Sequence, residues 1–444
     1  MKRVLFVTLF TVVFAFAMVG CGAGNNNGPI QATGTSTTVQ FGDATNDQIV
    51  KFELTVNSIT LTDSSNTATA NLLSAPVEFE FVQSAGTMEP VSLSHIPAGT
   101  YSKATFTVSD PDVVVLNGAT PPAPTKIPAT LTATSFDVTF ASPITVGTDP
   151  LFLNFDLDLA SSVTLTGTPP TSASVTPAFT ASTSTVAPNN NQDDEDGEDD
   201  DVHGSVTAIN APNFTIQTTA GASIDFATDA NTRFKDGLTS LSDLKVGDIV
   251  EVDAETQSDG TKLATKVERE GNEQGEEAEG IISDISGTAP ALTITIAHQV
   301  SSNNSANPPV TVQITTDANT QFSVRADKLN VTGTFDATHI GKGQRVEADA
   351  DGQASPIAAR KLKLREQALV GTVSNASGTT FTLTLDPTSA FATLSGTTSL
   401  TVTVAAGADM KTTVINGATV RVRGLVFFDG TTYSMTAARV DDNK

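Results

Sequence analysis

Polar and apolar residues alternate with a period of two through the first third of the chain. Lys51-Phe52-Glu53-Leu54-Thr55-Val56 puts Phe52, Leu54 and Val56 on one face of an extended strand. The alternation slips at Asn57-Ser58 and resumes at Ile59 and Leu61. A slip of one residue would turn the apolar face to solvent, so a β-bulge is predicted there. Tyr101 to Val108 repeats the pattern with Ala104, Phe106 and Val108 inward, and Leu151 to Leu159 repeats it with Leu153, Phe155, Leu157 and Leu159 inward. Ile96-Pro97-Ala98-Gly99-Thr100 reads as a turn before a strand. Strands of this kind, each with one apolar and one wet face, predict an antiparallel β-sandwich over residues 39–163.

The pattern then stops. Residues 164–188 are Thr, Ser, Pro and Ala with few large side chains. Such a stretch buries too little to offset an ordering entropy of about 1–2 kcal/mol per residue. An acidic block follows at Asp193, Asp194, Glu195, Asp196, Glu198, Asp199, Asp200 and Asp201, broken only by Gly197. Like charges repel and keep a chain extended. Residues 164–203 therefore read as a stalk and an acidic linker, with a last sandwich strand as the alternative for part of residues 164–188.

Periodicity returns as internal repeats. Thr228-Asp229-Ala230-Asn231-Thr232-Arg233-Phe234 recurs as Thr316-Asp317-Ala318-Asn319-Thr320-Gln321-Phe322. Val246-Gly247-Asp248-Ile249-Val250-Glu251-Val252-Asp253-Ala254 recurs at Lys342 to Ala350 and, more weakly, at Asn416 to Gly424. Gly204, Gly280 and Gly371 open the copies, which gives three modules at 204–270, 280–366 and 369–441. About five short strands with little aromatic content close best as a small barrel similar to an OB-fold. The fold class is all-β: an N-terminal antiparallel β-sandwich followed by three small OB-like β-barrel repeats.

Two segments resemble known families. Phe41-Gly42-Asp43-Ala44, Val56-Asn57-Ser58-Ile59-Thr60-Leu61 and His95-Ile96-Pro97-Ala98-Gly99-Thr100-Tyr101 resemble family number forty-three eighty-two among the domains of unknown function, which occurs in bacterial lipoproteins. That resemblance covers most of residues 34–163 and implies no activity. The Gly-x-x-Val-x-Val core and the Thr-x-Phe segment of the repeats resemble family number fifty-six sixty-six of the same kind. The first repeat matches best, the second carries an insertion around His298 to Pro309, and the third lacks the Asp-Ala-Asn-Thr-x-Phe segment.

The start of the chain gives an address. Lys2 and Arg3 precede an apolar run from Val4 to Met18, so residues 1–20 read as a signal peptide, too short and wrongly flanked for a membrane-spanning helix. Met18-Val19-Gly20-Cys21 resembles the lipobox of bacterial lipoproteins. The resemblance implies cleavage before Cys21 and lipidation of its thiol, a membrane anchor worth roughly 0.8 kcal/mol per buried methylene. Gly22 after the Cys implies the outer membrane in the common Gram-negative sorting scheme. Residues 21–38 are then a tether of small and polar residues.

Composition narrows the function classes. The chain has a single Cys, so no disulfide within it is available, and its formal net charge of −25 repels nucleic acid and anionic lipid. The acidic block fails as an EF-hand: with Gly197 as sixth residue, Gln192 would stand first and His203 twelfth. Its eight carboxylates offer weak, non-specific cation binding and no defined metal site. His95, His203, His298 and His339 are scattered, and no hydrolase or metalloprotease signature appears. Asp156 and Asp158 share a strand face but read as solvated acids, and Glu251, Asp253, Glu347 and Asp349 are the outward residues of the core strands. Lys361, Lys363 and Arg365 alternate on the closing strand and are expected to pair with Glu347 and Asp349 across it. Neither catalytic residues nor a cofactor is expected. The reading is a non-catalytic cell-envelope lipoprotein presenting β-rich modules, with an envelope protein or glycan as partner. The alternatives are a calcium- or polysaccharide-binding adhesion protein and, more remotely, an envelope hydrolase.

Overall fold

The computed structural model describes residues 34–442, apart from 45–46, 83, 85–87, 186–197, 219–222, 236, 258–259, 272–274, 302–309, 325–332 and 352–355. The signal peptide, Cys21 and most of the tether lie outside the described residues. The sandwich begins earlier than expected, because Thr35 to Thr38 already belong to its first strand. In chain order its strands are β1 (Thr35–Ala44), β2 (Ile49–Asp63), β3 (Val77–Glu80), β4 (Glu89–Ile96), β5 (Gly99–Leu116), β6 (Pro124–Ile127), β7 (Ala129–Leu131), β8 (Ser135–Val146), β9 (Leu151–Asp158), β10 (Val163–Thr166), β11 (Ser172–Val175) and β12 (Phe179–Thr185).

One sheet runs β12-β9-β1-β4, a second runs β3-β2-β5-β6 with β8 also on β5, and a small third runs β10-β11-β7. Phe41, Phe106, Phe155 and Phe179 are buried in the core shared by the two larger sheets. The register of β2 on β5 shifts between Val56 and Ser58, where the alternation slips. That bulge keeps Leu54, Val56, Ile59 and Leu61 all fully buried.

Two expectations are corrected. The sandwich is mixed, since β1 pairs β9 in parallel and β11 pairs β7 in parallel. The N-terminal strand thus enters beside a strand more than 100 residues later, a pairing no local turn signal announces. The stretch read as a stalk with room for one last strand carries three strands within residues 163–185, β10, β11 and β12. β12 pairs β9 along its whole length, from Phe179 opposite Leu157 to Thr185 opposite Leu151. Phe179 stacks on Phe106 with centroids 4.9 Å apart. A strand with a strong neighbour needs few large side chains, because the ladder satisfies its backbone and one well-placed ring fills the core.

The first barrel comprises β13 (Glu198–Asn210), β14 (Asn213–Thr218), β15 (Ser223–Ala227), β16 (Arg233–Lys235), β17 (Ile249–Thr256) and β18 (Lys262–Gly271). The second repeats it as β19 (Gly275–Thr288), β20 (Ala291–Ser301), β21 (Thr311–Thr315), β22 (Gln321–Val324), β23 (Arg345–Asp351) and β24 (Ile357–Leu364). The sheet orders are β15-β14-β13-β17-β18-β16 and β21-β20-β19-β23-β24-β22, closed by parallel pairing of β15 with β18 and of β21 with β24. The third is the closed ring β25 (Gln367–Ser377), β26 (Thr380–Leu385), β27 (Ser399–Met410), β29 (Tyr433–Asp441), β28 (Thr419–Phe428). All three follow the OB-like order: first, second, third, last, fourth and back to first. Gly204 and Gly371 sit in the first strands where a Cβ would lie 2.4 Å and 2.5 Å from a cross-strand carbonyl oxygen. Gly247, Gly343 and Gly417 turn the chain into the fourth strand at φ of +94°, +89° and +87°.

Gly34–Lys444 forms one compact unit. The ammonium of Lys262 lies 4.9 Å over the Phe152 ring of the sandwich. The Tyr433 hydroxyl of the third barrel donates to the Lys342 carbonyl of the second at 2.8 Å. Leu425 and Phe427 of the third barrel fall in the core of the second.

Candidate functional site at a charged seam between barrels

Residues on the outward faces of β17, β18, β23 and β24 meet across the first two barrels. Glu251 and Asp253 both hold Lys266, at 3.0 and 2.8 Å. Asp253 and Lys266 are register partners on adjacent strands, so the strand ladder itself brings them together. In the second barrel Lys363 holds Glu347 at 2.8 Å and Asp349 at 3.7 Å, the cross-strand pairing expected from the sequence. Lys361 stands opposite Asp349 in the ladder and also reaches Glu268 of the first barrel at 3.0 Å. Arg365 bridges the barrels, 3.1 Å from Glu347 and 3.4 Å from Glu251.

The alternation puts these acids on the outward faces of their strands. Glu251, Lys266, Glu347 and Asp349 are each 0 % exposed. They do point away from their own barrel interiors, but a second barrel covers them. Removing several kcal/mol of hydration per ion is tolerable only where pairing is close and repeated, which is what the two faces supply. Arg345 carries the array toward the third barrel. It contacts Glu279 at 2.6 Å and donates to the Glu366 carbonyl at 3.4 Å. Glu366 in turn holds Arg423 of the third barrel at 3.2 Å. Burial pulls the Arg345 pKa down, while the Glu279 carboxylate pushes it up. Chemically the seam is an ion-paired joint whose charges face one another rather than solvent.

The repeated Asp-Ala-Asn-Thr segment is a second arrangement of polar groups. The Asp229 carboxylate accepts from the amides of Asn231 at 2.7 Å and Thr232 at 3.1 Å. The Thr232 hydroxyl accepts from the Asp229 amide at 3.0 Å and donates to the Ala264 carbonyl at 2.7 Å. Asp317 and Thr320 reproduce every bond, with Ala359 as the final acceptor. Backbone donation from Asn319 leads in holding the Asp317 carboxyl below its ordinary range. The motif is a knot that ties the loop between the third strand and the short strand to the last strand.

The remaining candidates do not converge. Cys21 and Asp193, Asp194, Glu195 and Asp196 lie outside the described residues. Glu198, Asp199, Asp200 and Asp201 belong to the start of β13, so the acidic block runs into a strand and not only a linker. His95 is exposed, and His339 Nδ1 sits 2.7 Å from Asp336. Asp158 is partly exposed, and its carboxylate accepts from the Ser161 amide at 2.9 Å and caps α1 (Leu159–Ser162). Among the described residues no cluster of three or more His, Cys, Asp or Glu is arranged to hold a metal ion.

Comparison with known proteins adds a family and a distant structure. Residues 203–268, the first barrel, match a domain of unknown function, DUF5666. No curated protein matches the chain. The solved structure "drosophila Unr CSD456" aligns at 12% identity over 55% of this chain and 96% of that chain, with a TM-score of 0.13. Agreement at that level carries no argument.

Proposed function

We propose that this chain is a lipid-anchored, non-catalytic protein of the cell envelope that presents its sandwich and barrels as a single rigid body. The observation that carries the reading is the sealed seam. The charged faces of the first two barrels are spent on holding barrels together, with Glu251, Lys266, Glu347 and Asp349 fully buried. The lipobox-like Met18-Val19-Gly20-Cys21 supplies the anchor, and the Gly22 that follows it supports the outer membrane of a Gram-negative bacterium. The partner is an envelope protein or a glycan, not nucleic acid, which the net charge of −25 disfavours.

Labelling with radioactive palmitate in a bacterial host tests the anchor. The wild-type chain is expected to take up label and to stay with the membrane fraction after an alkaline wash. Cys21→Ala is expected to lose both properties. Equal labelling of the two chains, or a soluble wild-type chain, would refute the reading. Titration calorimetry with calcium addresses the adhesion alternative, in which the ligand sits on the sandwich loops or the acidic block; measurable heat favours that alternative.

A further inference from the structure

The turn between β1 and β2 reaches the third barrel. The Asp47 carbonyl accepts from the Ala390 amide at 2.6 Å, at the start of α2 (Ala390–Ser395). Gln48 Nε2 donates to the Thr388 hydroxyl at 2.7 Å. The Val370 amide of β25 donates to the Asp47 carboxyl. Beside these bonds, Val50, Val114 and Leu116 of the sandwich pack with Ala390 and Leu394 of the third barrel and Ala297 of the second. Among the described residues, the charged group that acts on Asp47 is Asp386, in the loop before α2. The Asp386 carboxylate is itself fixed by the Thr388 amide at 2.8 Å and the Thr388 hydroxyl at 2.7 Å, and these bonds hold its pKa down. The Val370 and Ala390 amides are the backbone donors to Asp47, and ionising its carboxyl sets a second negative charge near Asp386.

We infer that the Asp47 turn is a pH-sensitive latch joining the sandwich to the third barrel, closed when Asp47 is neutral and weakened when it ionises. Burial pushes its carboxyl up to about 7; the Val370 amide opposes this and Asp386 adds to it. Once released, the side chain returns to the ordinary carboxylate value of 3.8. The released state therefore ionises first as pH rises. Latch stability is full below the ordinary carboxylate value, falls as pH climbs, and reaches its floor above about 7.

Hydrogen exchange read by mass spectrometry on the full chain tests this, with rates corrected for the intrinsic effect of pH. Wild-type protection of segments Ile49–Phe52 and Ala390–Ser395 is expected to fall roughly tenfold or more between pH 5 and pH 7. Asp47→Asn, which cannot ionise, is expected to remove that fall while keeping the circular dichroism of the wild type. Asp386→Asn leaves Asp47 in place and is expected to make the fall smaller. Matching pH profiles for wild type and Asp47→Asn overturn the latch, as does an Asp386→Asn profile identical to the wild type. A fall of equal size in barrel segments remote from the contact overturns it too.

Discussion

Glu251 shows why direction and exposure are different properties. Its period-two position sends it away from its own barrel, opposite Val250 and Val252, and the sequence supports that much. It is nonetheless 0 % exposed, because Arg365 and its strand arrive from the next module. On sequence grounds Glu347→Lys should destabilise more than Glu251→Lys, since the cations of the closing strand stand opposite Glu347. The structure removes that distinction: Arg365 contacts both acids, and each has a lysine of its own barrel as well. Both reversals are expected to cost about 3–5 kcal/mol, the usual loss when one partner of a buried pair is replaced. Urea unfolding of the two variants checks it, and a Glu251→Lys chain as stable as wild type would contradict the burial. No alternation rule could have revealed this, because the covering surface lies about a hundred residues away in the chain.

Among the elements, the repeated knot explains which parts of the modules could be read in advance. Asp-Ala-Asn-Thr interrupts the strand after β15 and β21, and a short strand, β16 or β22, then pairs the last strand in parallel. The third module lacks the motif, and there β27 runs on through a register shift between Val404 and Asp409 to pair β29 at both ends. One long irregular strand does the work of two, so the missing motif marked a local substitution and not a different fold. Thr320→Val is expected to cost about 1–3 kcal/mol, because it removes a buried hydroxyl that accepts from Asp317 and donates to Ala359. Thr403→Val on the exposed side of β27 is the matched control and is expected to stay within about 0.5 kcal/mol of wild type. Equal thermal shifts would remove the knot's role. The strands of residues 163–185, beyond a single last one, were illegible for the opposite reason. They carry no repeated motif and little apolar mass, and they exist because β9 offers a full ladder and Phe179 fills a gap among rings.

For the whole molecule, the sequence suggests closed units on soft connectors, and the closed units are there. Their independence is not: Gly34–Lys444 forms one compact unit, and the first two barrels share buried charges. Hydrophobic docking would leave the modules able to slide, since apolar contact is non-directional. Ion pairs fix both register and orientation, because a misplaced carboxylate in the seam would lose its cation and keep its desolvation penalty. A charge-swap cycle across the joint isolates this. Lys361 and Glu268 belong to different barrels and sit 3.0 Å apart. Lys361→Glu and Glu268→Lys are each expected to destabilise the chain, and the double reversal to recover part of the loss. A coupling energy between about 0.5 and 3 kcal/mol is the range for residues in direct contact. The readout that bears on architecture is hydrogen exchange: in the wild type β17 and β23 should lose protection together, and in either single variant separately. Additive losses with unchanged exchange would mean that the barrels lie side by side without the seam coupling them.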